Sequence, residues 1–222
     1  MATLRVWLPL LASGLWMNIL ISVLAIGIGT VLGIIVGALE LSRMRWVSAP
    51  ARGYVQAFRN APMLVLIFFA TYVFPFEIQV GSLYLPFPDW IKATIGLALP
   101  ASAHIAEIFR GAILSIASAQ WEASASLGFS RARTLRWVIL PQCVKRVLPP
   151  WMNLYAMITM STTLASLVGV TELLEVARIA SNTVNRTDFT IFVYLAVLTL
   201  FFLYCYPITR FTAHLEQKYA FH

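Results

Sequence analysis

Lysine, aspartate, histidine and cysteine are all scarce in this chain, and each shortage excludes a class of chemistry. None of the three lysines follows a glycine, so there is no Gly-x-x-x-x-Gly-Lys-Ser/Thr phosphate loop, and nucleotide chemistry, if used, happens on another chain. The aspartates Asp89 and Asp188 sit at the edges of apolar runs, and His104, His214 and His222 form no His-Glu-x-x-His pair. An intramembrane hydrolase is therefore poorly supported. Cys143 and Cys205 have neither disulfide nor metal-site spacing and read as small packing residues. No metal and no cofactor are expected on this chain.

Charge is scarce as well. Only 11% of residues are charged against 60% hydrophobic, and the mean hydropathy is +0.80. That composition belongs in a bilayer. The net charge of +7 does not point to nucleic acid, because the basic residues lie at the ends of apolar runs, where cytoplasmic loops concentrate them. A length of 222 residues leaves room for five or six helices of about 20 residues each and none for a separate soluble domain. Arg5 precedes a short apolar stretch with no small-x-small site, so no cleaved signal peptide is expected.

What is present is a series of apolar runs. The expectation is an all-α, polytopic single membrane domain over 1–222, with five spans at about 15–39, 61–76, 91–113, 151–170 and 189–208. Gly29, Gly33 and Gly37 recur every four residues in the first, a face on which another helix backbone can approach closely. Pro50 argues against a continuous helix through the basic loop after it. Residues 77–90, with Pro86 and Pro88, read as an outer loop, and 171–188 as a second one with a short helix. The fourth span is expected to begin after Pro149-Pro150.

An odd number of spans puts the termini on opposite sides. Residues 43–59 carry four Lys or Arg, 110–146 carry six and the tail carries two, against four (Arg5, Lys92, Arg178, Arg186) on the other side. The positive-inside bias then places the N-terminus outside and the 120–141 segment and the C-terminus in the cytoplasm.

The longest mixed polar segment is 120–141. It reads as a helix of two to three turns, Gly128 in a left-handed stop, Ser130 as the next cap, and a second, basic helix. Such an element is either a docking helix or an ordinary loop folded on the lipid surface. His104, Glu107 and Arg110 share one helical stripe, which either lines a polar path or is an ion pair that only orders the helix. Thr159, Ser161, Thr162, Thr163 and Ser166 form a hydroxyl-rich run that bonds backbone carbonyls, bridges helices or meets a solute. Asn18 and Asn60 are lone amides, more often structural than solute-binding.

Four stretches resemble one family. Glu122-Ala123-Ser124, three residues, Gly128, nine residues and Val138-Ile139-Leu140-Pro141 resemble the E-A-A-x3-G-x9-I-x-L-P loop of ATP-binding-cassette importer permeases. Phe58-Arg59-Asn60-Ala61-Pro62, Ala106 to Gly111 and Thr163 to Leu173 are similar to runs of the bacterial polar amino acid importers (histidine, glutamine, glutamate or arginine type). Ser124, Val138, Asn60, Ala61 and Ala119 depart from the usual residues. The resemblance implies a permease paired with a second, identical or homologous permease, two cytoplasmic ATP-binding subunits that hold ATP and magnesium, and a periplasmic solute-binding protein, all within membrane lipid. It implies that the cytoplasmic helix between the third and fourth spans transmits closure of the ATPase, through Glu122, Ala123, Gly128, Arg131, Arg133 and Pro141. Asn60, His104, Glu107, Arg110, Thr162, Thr163 and Ser166 are the candidates for the translocation path. The alternatives are an ion- or proton-coupled carrier using the His104 stripe as a relay, and a non-transporting assembly subunit.

Overall fold

The computed structural model describes residues 2–80 and 83–219. His222 and the side chain of Arg5 lie outside the described residues. The chain is almost entirely helical. In order come α1 (Ala2–Glu40), α2 (Arg45–Asn60), α3 (Met63–Val73), strands β1 (Glu77–Val80) and β2 (Leu83–Pro86), α4 (Asp89–Leu114), α5 (Ser118–Ser126) and α6 (Arg131–Thr134). A π-helical turn over Leu135–Ile139 leads into α7 (Leu140–Ser161), a 3-10 segment over Thr162–Val168 follows, and α8 (Leu173–Val184) and α9 (Thr187–Tyr219) complete the chain.

Helix α1 is the spine. Its 39 residues extend about 58 Å at 1.5 Å per residue, far more than a hydrocarbon core. One stripe, Leu11, Gly14, Asn18, Ile21, Ala25, Gly29, Gly33, Gly37 and Glu40, is buried, while Val23, Val31 and Ile35 face outward. Inside a bilayer apolar burial adds no driving force, because lipid is as apolar as leucine; close packing has to hold helices together. The glycine stripe provides it. A methyl group on Gly33 would stand 2.6 Å from the Ser102 carbonyl oxygen, and one on Gly37 would stand 2.8 Å from that of Ala106, so α1 and α4 meet backbone to backbone. Gly96 gives α3 the same access to α4.

Three clusters fill the interior. Ile21, Ile67, Leu97, Ile105, Leu154 and Ile158 join α1, α3, α4 and α7. Leu11, Leu173, Val176, Phe189 and Val193 join α1 to α8 and α9. Ala112, Ile113, Ile116, Ile139 and Cys143 form a third beneath α5.

Several expected boundaries move. The first helix begins at Ala2 rather than near residue 15. Residues 61–76 contain only the 11-residue α3, about 16 Å long and too short to cross a ~30 Å core alone. Before it lies α2, strongly amphipathic, which carries Pro50 in its second turn without a break. Within the stretch read as an outer loop, residues 77–80 and 83–86 pair as antiparallel strands, Glu77 opposite Pro86. The helix leading to the fourth expected span starts at Leu140, and Pro149 and Pro150 lie within it. Proline loses one backbone bond and clashes with the preceding turn, but in apolar surroundings neighbouring helices hold the segment straight enough to continue. Among the described residues, three helices (Val6–Glu40, Asp89–Leu114 and Thr187–Tyr219) are long and apolar enough to cross a membrane. The bent run Arg131–Val168 with Leu173–Val184, angled by 49°, makes a fourth if taken as one span.

Candidate functional site

Helix α5 sits between two of these long segments, α4 and the α6 to α7 run, at the same end of the molecule as the C-terminus of α1. Its C-terminus closes in a Schellman arrangement. The Phe129 N–H donates to the Ser124 carbonyl at 3.0 Å and the Gly128 N–H to that of Ala125 at 2.9 Å, with Gly128 at φ +75°. That conformation costs glycine nothing and other L-residues a Cβ clash with their own backbone. Ser130 then caps the next turn, its Oγ accepting from the Arg133 N–H at 3.4 Å. Two helices thus meet at a fixed angle with one residue in a left-handed state between them.

Glu122 and Ala123 are exposed on α5, as are Arg131 and Arg133 on the following turn. The Arg133 guanidinium lies 5.7 Å from the Phe129 ring. Ser124 is the inward residue of α5, its hydroxyl donating to the Gln120 carbonyl at 2.7 Å. Pro141 is exposed in the first turn of α7, directly after the π-helical turn. It has no N–H to give to the Trp137 carbonyl, and the widened turn lies immediately before it. On the opposite side of the loop Arg146 fastens α7 to the end of α4, donating to the Ser115 carbonyl at 2.7 Å.

The charged stripe of α4 is a small cluster. Glu107 accepts from Arg110 Nε at 3.2 Å and from its terminal amino group, and Arg59 at the end of α2 stands 3.8 Å away. These groups are about one-third exposed, so the pairing contributes little to stability, on the order of 0–1 kcal/mol. Glu40, at the end of α1, is buried with one carboxylate oxygen lacking a hydrogen bond. His104 is half-buried one turn deeper on α4. The structure therefore brings Arg59, Glu107 and Arg110 together. Asn60 turns away from them, its amide donating to the Gln56 carbonyl at 2.7 Å and closing its own helix.

The hydroxyl run divides. Thr163 and Ser166 donate to carbonyls of their own segment, Met160 and Thr163, at 2.9 and 2.8 Å. Thr162, which donates to the Thr159 carbonyl at 2.7 Å, also joins a buried network that the pattern of residues did not reveal. Asn18 of α1 donates to Thr162 Oγ1 at 2.8 Å and to Glu172 Oε2 at 2.9 Å, and its own carbonyl accepts from the Leu173 N–H at 3.0 Å. Glu172, fully buried, also accepts from the backbone N–H groups of Leu174 at 3.0 Å and Glu175 at 2.9 Å. It is the N-cap of α8, and each of its oxygens has a donor. Gly14 completes the joint, because a Cβ there would stand 2.8 Å from the Leu173 backbone. The available signal was an acid immediately before an apolar run, a helix-start pattern.

No group of three or more His, Cys, Asp or Glu able to hold a metal occurs among the described residues.

Comparison with known proteins adds the following. A family model described as the inner membrane component of binding-protein-dependent transport systems matches residues 29–221. A probable amino-acid ABC transporter permease, YckA of Bacillus subtilis, is 33% identical over 212 residues, covering 96% of this chain and 90% of the relative. The L-cystine transport system permease TcyB of the same organism is 30% identical, with 95% and 86% covered. The glutamine transport system permease GlnP of Escherichia coli is 33% identical over 166 residues, with 75% and 74% covered. Among solved structures, an amino acid ABC transporter crystallised with histidines matches with a TM-score of 0.84 at 24% identity, over 98% of this chain and 97% of that one. The methionine ABC transporter MetNI, in an inward facing conformation, matches with a TM-score of 0.70 at 19% identity, over 93% and 96%. These two likenesses establish a common fold.

Proposed function

Since the chain belongs to the family of inner membrane components of binding-protein-dependent transport systems, we propose that it is the permease subunit of an ATP-driven importer carrying a polar amino acid by alternating access. Its relatives are transport permeases rather than enzymes, and the chain itself is a multi-pass protein of the inner membrane and an amino-acid ABC importer permease. An ion- or proton-coupled carrier is not favoured by that kinship.

The observation that carries the finer reading is α5: a short exposed helix, rigidly stopped at Gly128, inserted between two membrane segments. A helix fixed at both ends moves as a lever with the segments it joins, so a partner gripping it can shift α4 and α7 together. The ATPase subunits, which hold ATP and magnesium, grip it around Glu122 and Ala123. Arg131 and Arg133 fix it at the membrane surface, and Pro141 starts the return into the bilayer. The arginine-rich end, with α5 and the C-terminus, faces the cytoplasm, and the N-terminus faces the periplasm. With that orientation α3, continued by the last turns of α2, makes the fifth crossing. The complete importer adds a second permease, identical or homologous, and a periplasmic solute-binding protein. His104, Glu107 and Arg110, with Thr163 and Ser166, border the path, whereas the buried Thr162 and the helix-closing Asn60 serve the joints beside it. The Glu107 carboxylate and the Arg59 and Arg110 guanidiniums offer an amino acid a partner for each of its charges.

The test is reconstitution in liposomes with the ATPase and solute-binding partners, followed by uptake of labelled glutamine, glutamate, histidine and arginine. ATP-dependent uptake of at least one is expected. Uptake that persists without the ATPase subunits would overturn the proposal in favour of an ion-coupled carrier.

A further inference from the structure

Beneath α5 lies a cavity of about 850 Å³, within the ~300–1,000 Å³ range of ligand sites. It is bounded by the C-terminal ends of α1 and α4, by α5 and by the turn entering α7. Leu41, Phe109, Ile113 and Trp121 form apolar walls, and Arg43 and Arg131 stand at the rim. The cavity opens to the surface, and an exposed apolar recess of this size marks a binding site. Three features identify the filler. Both arginines are exposed, and among the described residues neither pairs with a carboxylate, so the rim is cationic. The hydroxyls of Ser42 and Ser118 add donors at the same level. Trp46 and Trp137, 88% and 68% exposed and flanked by Arg45 and Arg136, mark this end as a headgroup-level belt.

An apolar chamber with a two-arginine mouth at headgroup depth matches an anionic phospholipid. We infer that this cavity binds one, its acyl chain against Leu41, Phe109 and Trp121 and its phosphate between Arg43 and Arg131. Basic pockets between membrane helices on the cytoplasmic side are suited to such headgroups. Placement in the inner leaflet rests on the orientation proposed above; the binding itself does not. The lipid bridges the loop after α1 to the turn after α5, so its presence stiffens the seat of α5.

The purified full-length chain in neutral detergent is titrated with phosphatidylglycerol, phosphatidylcholine and soluble glycerol 3-phosphate, and binding is read by native mass spectrometry and thermal shift. Phosphatidylglycerol is expected to bind roughly 30-fold tighter than phosphatidylcholine, two interfacial arginines each strengthening the attraction about fivefold. The pair Arg43→Gln with Arg131→Gln removes that preference. The charge-matched pair Arg133→Gln with Arg136→Gln, whose residues do not line the cavity, keeps it. Equal binding of the two lipids, equal loss in both variants, or glycerol 3-phosphate binding as tightly as the lipid would each overturn the inference. So would displacement of bound lipid on adding the ATPase subunits or a second permease copy, which would make the cavity a protein interface. Apart from that displacement, none of these readings depends on transport or on which way the chain faces, so this site and the transport proposal fail separately.

Discussion

Replacing Gly128 by valine tests whether the turn after α5 transmits force. A Cβ built at Gly128 meets no atom within 4 Å, so the variant creates no clash with the rest of the protein. The whole cost lies in the backbone. Holding φ at +75° costs an L-residue about 1–2 kcal/mol, and a β-branched one the upper end or more. About 2 kcal/mol corresponds to a roughly 30-fold shift away from the native turn. The chain relieves the strain by giving up the bonds from Gly128 to Ala125 and from Phe129 to Ser124. Ala125 is exposed, so water replaces that bond, while the carbonyl of the buried Ser124 loses its partner; the turn loosens and the angle between α5 and α6 is lost. The expected result is a protein that inserts and purifies normally but whose reconstituted complex loses substrate-stimulated ATP hydrolysis. Gly128→Asn, tolerant of left-handed φ, should retain most of the stimulation, and Gly128→Ala should fall between. Glycine-like coupling in the valine variant, or equal behaviour of all three, would refute the lever.

Two further variants probe how the bundle is held. Glu172→Ala removes the cap of α8, about 1 kcal/mol, and leaves one buried Asn18 amide hydrogen without its acceptor, about 1–2 kcal/mol more. Thermal unfolding in detergent should show a clearly lower midpoint for Glu172→Ala and a smaller loss for Glu172→Gln; an unchanged midpoint would mean water already reaches the network. Gly33→Leu drives a side chain into the Ser102 carbonyl and Ile105, neither able to yield without parting α1 from α4, so monodisperse protein on gel filtration should fall sharply. Gly27→Ala on the same helix, with nothing within 4 Å, should be neutral. Similar behaviour of the two would contradict the packing described here.

Much of the site was legible because its signals are local. The left-handed Gly128, the cap at Ser130 and the exposed Glu122 follow from residue types at short spacing, and the glycine stripe follows from a helical period. Proline misled where local rules were applied to a membrane segment. Pro50 and Pro149-Pro150 lie inside helices because surrounding helices, not the chain's own propensity, decide continuity. The second expected span, 61–76, holds only the 11-residue α3, since hydropathy registers an apolar run but not where its helix starts and stops.

By itself the sequence determined that the chain lives in a bilayer, carries no nucleotide loop and puts its arginines largely at one end, because composition and charge are properties of the residues themselves. Only the tertiary structure decided that Asn18 meets Glu172 across 154 positions, that Arg59 joins Glu107 and Arg110, and that Arg43 and Arg131 share one cavity mouth. The physical reason is that in lipid each buried polar group must find its partner inside the protein, and which partner it finds depends on where the packed helices bring the distant parts of the chain together.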